Sequence, residues 1–348
     1  MIRSMAGSQS SGVAQFTSLG GQAVLEGVMM RSPHFIAVAV RKPNQRIVVR
    51  HLPYTSWGSR YPALKEPVLR GVATLLESLI QGVQALNFSA NVAVEAETQE
   101  KLSPWAVAAS MGTAVALGLG LFVALPHVLT VLMTDGLVTA NSPVFHFLDG
   151  LIKMAILLAY VYLIALMRDI HRVFQYHGAE HKSIYAFEAG EELTVENARR
   201  HTTLHPRCGT SFLLFLVLIS IVVFSIVFPI LGMTRLTSTA WINHLAMILL
   251  KMLLMLPVAG LSYEFIKACS IRMERPLFRA IVFPGMLLQK LTTREPTDDQ
   301  LEVALAALRQ VLVNEKSVVQ NPIEREHEIA GLADIALVPA VVAEFPEA

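Results

Sequence analysis

Hydrophobic runs of membrane-crossing length divide the chain. Residues 105–133 form a run without a single charged residue, long enough for the roughly 30 Å hydrocarbon core of a bilayer. A second run, 145–167, carries Asp149 and Lys153 near its start, spaced to pair across one helical turn. The third, 212–233, is uncharged, and the fourth, 241–263, is interrupted only by Lys251 and followed at once by Glu264. These four runs predict four transmembrane helices.

Elsewhere the period changes. From Pro67, the residues Val68, Val72, Leu75, Leu76, Leu79, Ile80, Val83 and Leu86 recur at helical spacing opposite Arg70, Glu77, Gln81, Gln84 and Asn87. That pattern predicts an amphipathic helix on the membrane surface or against the bundle rather than a fifth span. Upstream, FIAVAVR and RIVVRHL flank KPNQ and predict a β-hairpin. Downstream, RPLFRAIVFPGMLLQKL reads as an interfacial segment bent at Pro284 and Gly285. The TDDQ of Thr297 is a capping box, opening a helix to about Asn314 that sets Leu301, Leu305, Leu308 and Leu312 on one face to pack on the β unit. The expected organisation is a flexible leader (1–18), a small β-containing unit (19–64) and an amphipathic helical segment (65–100). A four-span bundle (101–275) with a His/Cys loop at 168–211 follows, then an interfacial segment and helix (276–316) and a disordered tail (317–348). The fold class is mainly α, a polytopic membrane helix bundle.

Composition agrees: 53% of the 348 residues are hydrophobic, only 16% are charged, and mean hydropathy is +0.51. A formal net charge of +1 lacks the electrostatic footprint of a nucleic-acid binder. The N-terminal residues carry no apolar core of a secretory signal, and two cysteines, Cys208 and Cys269, make no disulfide framework. Lys and Arg crowd one side of the spans: Lys101, Arg168, Arg172, Lys182, Arg199, Arg200, Arg207, Lys267, Arg272, Arg275 and Arg279, against Arg235 on the other. The positive-inside rule then predicts an inner-membrane protein with both termini and the 168–207 segment in the cytoplasm.

Four of the eleven histidines, His177, His181, His201 and His205, and one of the two cysteines, Cys208, fall within residues 176–211. His177 and His181, four apart, share one face if the second span continues as a helix, although Gly178 between them is a poor helix former. HGAEH has the reversed zinc-protease pattern H-x-x-E-H, in which two imidazoles hold zinc and the Glu, here Glu180, acts as base. His205 and Cys208 of HPRCGTSF offer further ligands, and Glu188 another. Such a cluster serves equally as a polar network at helix ends or as a docking surface. His201, on a basic stretch with Arg199 and Arg200, reads as solvated. The segment GGQAVLEGVMMR lacks the G-K-[ST] ending of a phosphate loop. Its Gly20, Gly21 and Gly27 read as turn formers, Met29 and Met30 as core, and Glu26 and Arg31 as site-facing or ion-paired. Lys251, near mid-span, calls for a buried partner.

The motifs GGQAVLEGVMMRSP, YHGAEHKSIYAFE, HPRCGTSF and LTTREPTDDQLEVAL, in this order, resemble the YqhQ-like family of bacterial membrane proteins over about residues 19–314, the tail after Lys316 lying beyond. The resemblance implies a metal-dependent enzyme, a label resting on these same His, Glu and Cys positions. The resulting expectation is a zinc hydrolase with His177, His181, His205 and Cys208 as ligands and Glu180 as general base. The rival is a non-enzymatic membrane-protein assembly or translocation factor that docks protein partners. The lipid bilayer is the environment in both readings, and nucleic acid is not the expected partner.

Overall fold

Short β-branched runs fold into an antiparallel meander in which β1 (Gly20–Val24), β2 (Gly27–Arg31), β3 (Phe35–Arg41) and β4 (Ile47–Pro53) follow in order. The computed structural model describes residues 19–98, 103–135, 137–231, 237–316 and 324–336. The expected hairpin around KPNQ is present, with Arg41 opposite Ile47. The glycine-rich segment before it, expected only to turn, is a second hairpin whose tip is Leu25 and Glu26. A Cβ on Gly27 would stand 2.2 Å from the Ala39 carbonyl, so only glycine fits at that crossing. Met29 and Met30 are core residues, as expected.

The tail, expected to be disordered, supplies β5 (Arg325–Ile329), which pairs with β4 from Ile47↔Ile329 to His51↔Arg325. REHEI has no apolar alternation to announce a strand. It is recruited by the open edge of β4, by ion pairs of Glu328 with Lys42 and Arg46, and by burial of Ile329 and Ile335. The rest of the tail and the leader 1–18 lie outside the described residues.

Each face of the sheet is covered. Helix α11 (Asp298–Lys316) packs on one face, and Leu301, Leu305, Leu308 and Leu312 are all buried there, as their spacing predicts. Its capping box forms, the Thr297 N–H donating to Gln300 Oε1 at 2.9 Å. After α1 (Trp57–Arg60), the long helix α2 (Leu69–Thr98) crosses the other face and packs along the bundle. Its polarity is reversed: Ala73, Glu77, Gln81, Ala85 and Phe88 are buried while Leu76, Leu79, Ile80 and Leu86 are exposed. Glu77 tolerates burial because it accepts from Tyr54 Oη at 2.8 Å and from the Trp57 N–H.

Four helices are long and apolar enough to cross a membrane. They are α3 (Pro104–Leu119) joined through a π turn to α4 (Leu125–Thr134), then α5 (Pro143–Ala165), α8 (Gly209–Leu231) and α9 (Ala240–Ser270). They coincide closely with the four apolar runs, although Met233, the expected end of the third, lies outside the described residues. Lys251 has its partner: Nζ is 2.8 Å from Asp149 Oδ1 and 3.1 Å from His127 Nδ1, and His127 Nε2 is 3.1 Å from His244 Nδ1. Lys153 adds a looser 3.7 Å contact to Asp149.

The segment 168–188, expected to be loop, is helix α6 (Arg168–Glu188), and α7 (Val195–Arg199) follows. Gly178 does not break α6, and a Cβ there would stand 2.1 Å from the Arg294 carbonyl, so this close approach needs glycine. The interfacial segment is a single helix, α10 (Pro276–Thr292), running through Pro284. Gly285 brings it against Ser211 of α8, and Val282, Leu288 and Gln289 are buried between.

Candidate metal centre

Helix α6 sets His177 and His181 one turn apart, with ring centroids 4.5 Å from each other. Cys208 stands just before the first turn of α8 and brings its Sγ to 3.2 Å from His177 Nε2. One donor atom from each of these three residues falls within 4.8 Å of the others. An ion with ligand bonds of about 2.0–2.3 Å spans such a group after slight contraction.

The donor set fits a metal for a further reason. His177 Nδ1 lies 2.9 Å from the Thr292 carbonyl, and His181 Nδ1 bonds the Thr203 carbonyl. A carbonyl only accepts, so each neutral imidazole carries its proton on Nδ1 and keeps the Nε2 lone pair free. Backbone carbonyls fixing the tautomer of two histidines is the outer arrangement usual for metal-binding imidazoles. Burial depresses the His181 pKa, with the neighbouring thiol of Cys208 acting against it, so the neutral, ligating form is the favoured one.

His205 and Glu188 stand outside this three-donor group. The His205 ring lies 5.5 Å from that of His181, its Nε2 is 3.5 Å from Glu188, and its Nδ1 accepts from the Arg207 N–H at 3.4 Å. Glu188 is also ion-paired with Arg207. Burial pushes the His205 pKa down to about 4, against the pull of the Glu180 carboxylate. His201 pairs with Glu191 and stacks on Tyr185, away from the group. Glu26, at the hairpin tip, is ion-paired with Arg172, whereas Arg31 faces the site.

Glu180 is 6% exposed and its carboxylate makes no hydrogen bond among the described residues. It opens on a cavity of about 540 Å³ lined by His177, His181, His205 and Cys208 as well. Burial raises its pKa, while His177 and then His205 oppose the rise. A buried carboxyl poised in this way is suited to exchanging a proton with a molecule in the cavity. Gly21 of β1 makes its room: a Cβ there would meet Glu180 Cγ at 2.7 Å.

Several supporting residues escaped the sequence reading. Gln289 accepts from the His205 N–H at 2.8 Å and donates to the His205 carbonyl at 2.7 Å and to Ser211 Oγ at 2.8 Å, pinning the loop before α8 onto α10. Lys182, buried at 3% exposure, donates to the Arg199 carbonyl at 2.9 Å and pairs with Glu295. A glutamine inside the apolar run of α10 was the one visible signal. Thr203 and Thr292 act through their carbonyls, and no side-chain pattern reports that.

Fold and site together define a class: a helical protein with four span-capable helices, joined to a five-stranded sheet and carrying a largely buried His/His/Cys grouping beside a cavity. Residues 66–314 match the family described as a protein of unknown function (DUF1385), and the chain belongs to it. It is also 33% identical over 313 residues to the "Uncharacterized protein YqhQ" of Bacillus subtilis (strain 168), an alignment covering 87% of this chain and 94% of that protein. No solved structure matches the chain.

Proposed function

We propose that the protein is a multi-pass inner-membrane zinc hydrolase whose site faces the cytoplasm. The observation that carries this reading is the convergence of His177, His181 and Cys208 beside the unpartnered carboxylate of Glu180 in a cavity. Three protein ligands leave a coordination position open, the pattern of catalytic rather than structural zinc sites. Zinc held there would act as a Lewis acid toward oxygen atoms in the cavity. Glu180 then takes a proton from the attacking water and returns it to the leaving group. Two imidazoles and a thiolate suit zinc better than a hard cation such as magnesium. His205 and Glu188 hold Arg207 and the loop around the site rather than the ion.

The cytoplasmic placement is supported by the basic residues on the ends of the four helices nearest the site and by the requirement that Cys208 stay reduced. Metal analysis of the detergent-purified protein tests the reading. Near-stoichiometric zinc, lost in a His177→Ala, His181→Ala double variant, is expected; protein that takes up no metal under several reconstitution conditions overturns it. Glu180→Gln should keep the zinc and fail to rescue a deletion strain. Full rescue removes Glu180 from the role of base and favours an assembly or translocation factor.

A further inference from the structure

The sheet order is β1-β2-β3-β4-β5, so β1 is an edge strand. Its hairpin with β2 closes at Val24↔Gly27 through a two-residue turn, which makes that pair and every second pair beyond it hydrogen-bonded. Gly21 and Ala23, between those pairs, therefore turn their backbone N–H and C=O groups away from β2. Among the described residues no backbone hydrogen bond from another segment reaches Gly20–Val24. A bare edge of this kind is normally covered, shortened or charged. Here it runs through GGQAV and forms a wall of the cavity, with α6 on one side and α2 on the other.

We infer that the cavity binds an extended polypeptide segment, which adds to the sheet as a strand on the free edge of β1 and passes directly beside Glu180. The inference rests on the reading of this cavity as the working site, and it names the class of substrate. Pairing at Gly21 sets the guest backbone against the carboxylate, since Gly21 is the residue that Glu180 packs upon. Main-chain pairing supplies affinity in such binding, and flanking pockets supply selectivity. The opposite walls carry Arg31 and Lys267, neither of which has a carboxylate partner among the described residues, and Arg31 bonds only the neutral Ser78 and Gln81. Ser270 Oγ in the same wall is buried without a partner. Among the described residues Glu180 is the one carboxylate in the lining, so the wall favours a guest with acidic side chains.

The test uses the full-length protein in detergent micelles and a fluorescein-labelled acidic decapeptide of alternating Thr and Glu, read by fluorescence anisotropy. Two comparisons isolate the backbone: the same peptide N-methylated at alternate residues, and an Ala23→Pro variant, which removes one outward N–H from an edge strand that tolerates proline. Each should weaken binding about tenfold or more, with helical content and zinc unchanged. Equal affinity for the parent and N-methylated peptides on the unaltered protein overturns the inference, whether or not Ala23→Pro folds. Dihexanoyl phosphatidylglycerol that displaces the peptide and binds more tightly than it does also overturns it, placing a lipid in the cavity instead. Because binding is read without turnover, unaltered protein that takes up no metal under reconstitution yet binds the peptide leaves this inference standing while the hydrolase reading fails.

Discussion

His177 Nε2 lies 3.2 Å from Cys208 Sγ across 31 residues of sequence, joining the middle of α6 to the residue just before α8. The contact unites an imidazole whose tautomer is set by the Thr292 carbonyl with a thiol that is 8% exposed. Cys208→Ser should therefore keep the helical content and lower zinc affinity by about tenfold or more, a size usual even for losses in the surroundings of a metal. Zinc loading should fall as the solution is acidified, because imidazole and thiolate ligands must be deprotonated to bind, and the depressed pKa of His181 moves its share of that loss below the ordinary imidazole range. Mass-spectrometric metal content along a pH series checks both.

The pairing of Lys251 with Asp149 is buried on all sides, at 0% and 1% side-chain exposure. Asp149→Asn strands the Lys251 charge and should cost about 3–5 kcal/mol, whereas Lys251→Met leaves Asp149 its 3.7 Å contact to Lys153 and should cost less. The double variant should cost clearly less than the sum of the two. Thermal unfolding in detergent around this double-mutant cycle reads the difference, and strict additivity would mean that the two groups do not interact.

Gly178 is expected to resist substitution more than its place in a helix implies. Alanine is the better helix former, yet its Cβ would overlap the Arg294 carbonyl at 2.1 Å. Gly178→Ala should destabilise by about 1–3 kcal/mol through overpacking, and reduce zinc content by shifting the two histidines that flank it. A variant as stable as the parent would show that the 294–295 segment yields freely.

Truncation after Lys316 removes β5 and two of the carbonyls that Arg309 bonds, Leu332 at 3.1 Å and Ile335 at 3.4 Å, leaving only Leu193. The buried guanidinium would lose partners and β4 would become an open edge. A lower unfolding midpoint and new proteolysis within β4 are the expected results, and an unchanged digestion pattern would argue that β5 contributes nothing.

Orientation is tested at Gly190, at the turn after α6. A cysteine introduced there should react with an impermeant thiol reagent only after the cells are opened. Labelling in intact cells would reverse the proposed topology.

The sequence by itself determined the four span-capable helices, because stretches of twenty or more predominantly apolar residues admit few other solutions. It also determined the β3–β4 hairpin and the start of α11, since alternation, turn residues and a capping box act between near neighbours. The spacing of His177 and His181 put them on one face only on condition of a helix there, and α6 met that condition. Tertiary structure alone decided the rest. It chose Cys208 over His205 and Glu188 as the third member of the group, a matter of which helix ends meet. It turned Glu77 and Gln81 of α2 inward, where Tyr54, the Trp57 N–H and Arg31 are their partners. It recruited β5, whose own sequence carries no strand period, and set Gly178 and Gly21 where the backbone at Arg294 and the side chain of Glu180 leave no room for a Cβ. Those choices depend on contacts between segments far apart in the chain, and no window of neighbouring residues contains them.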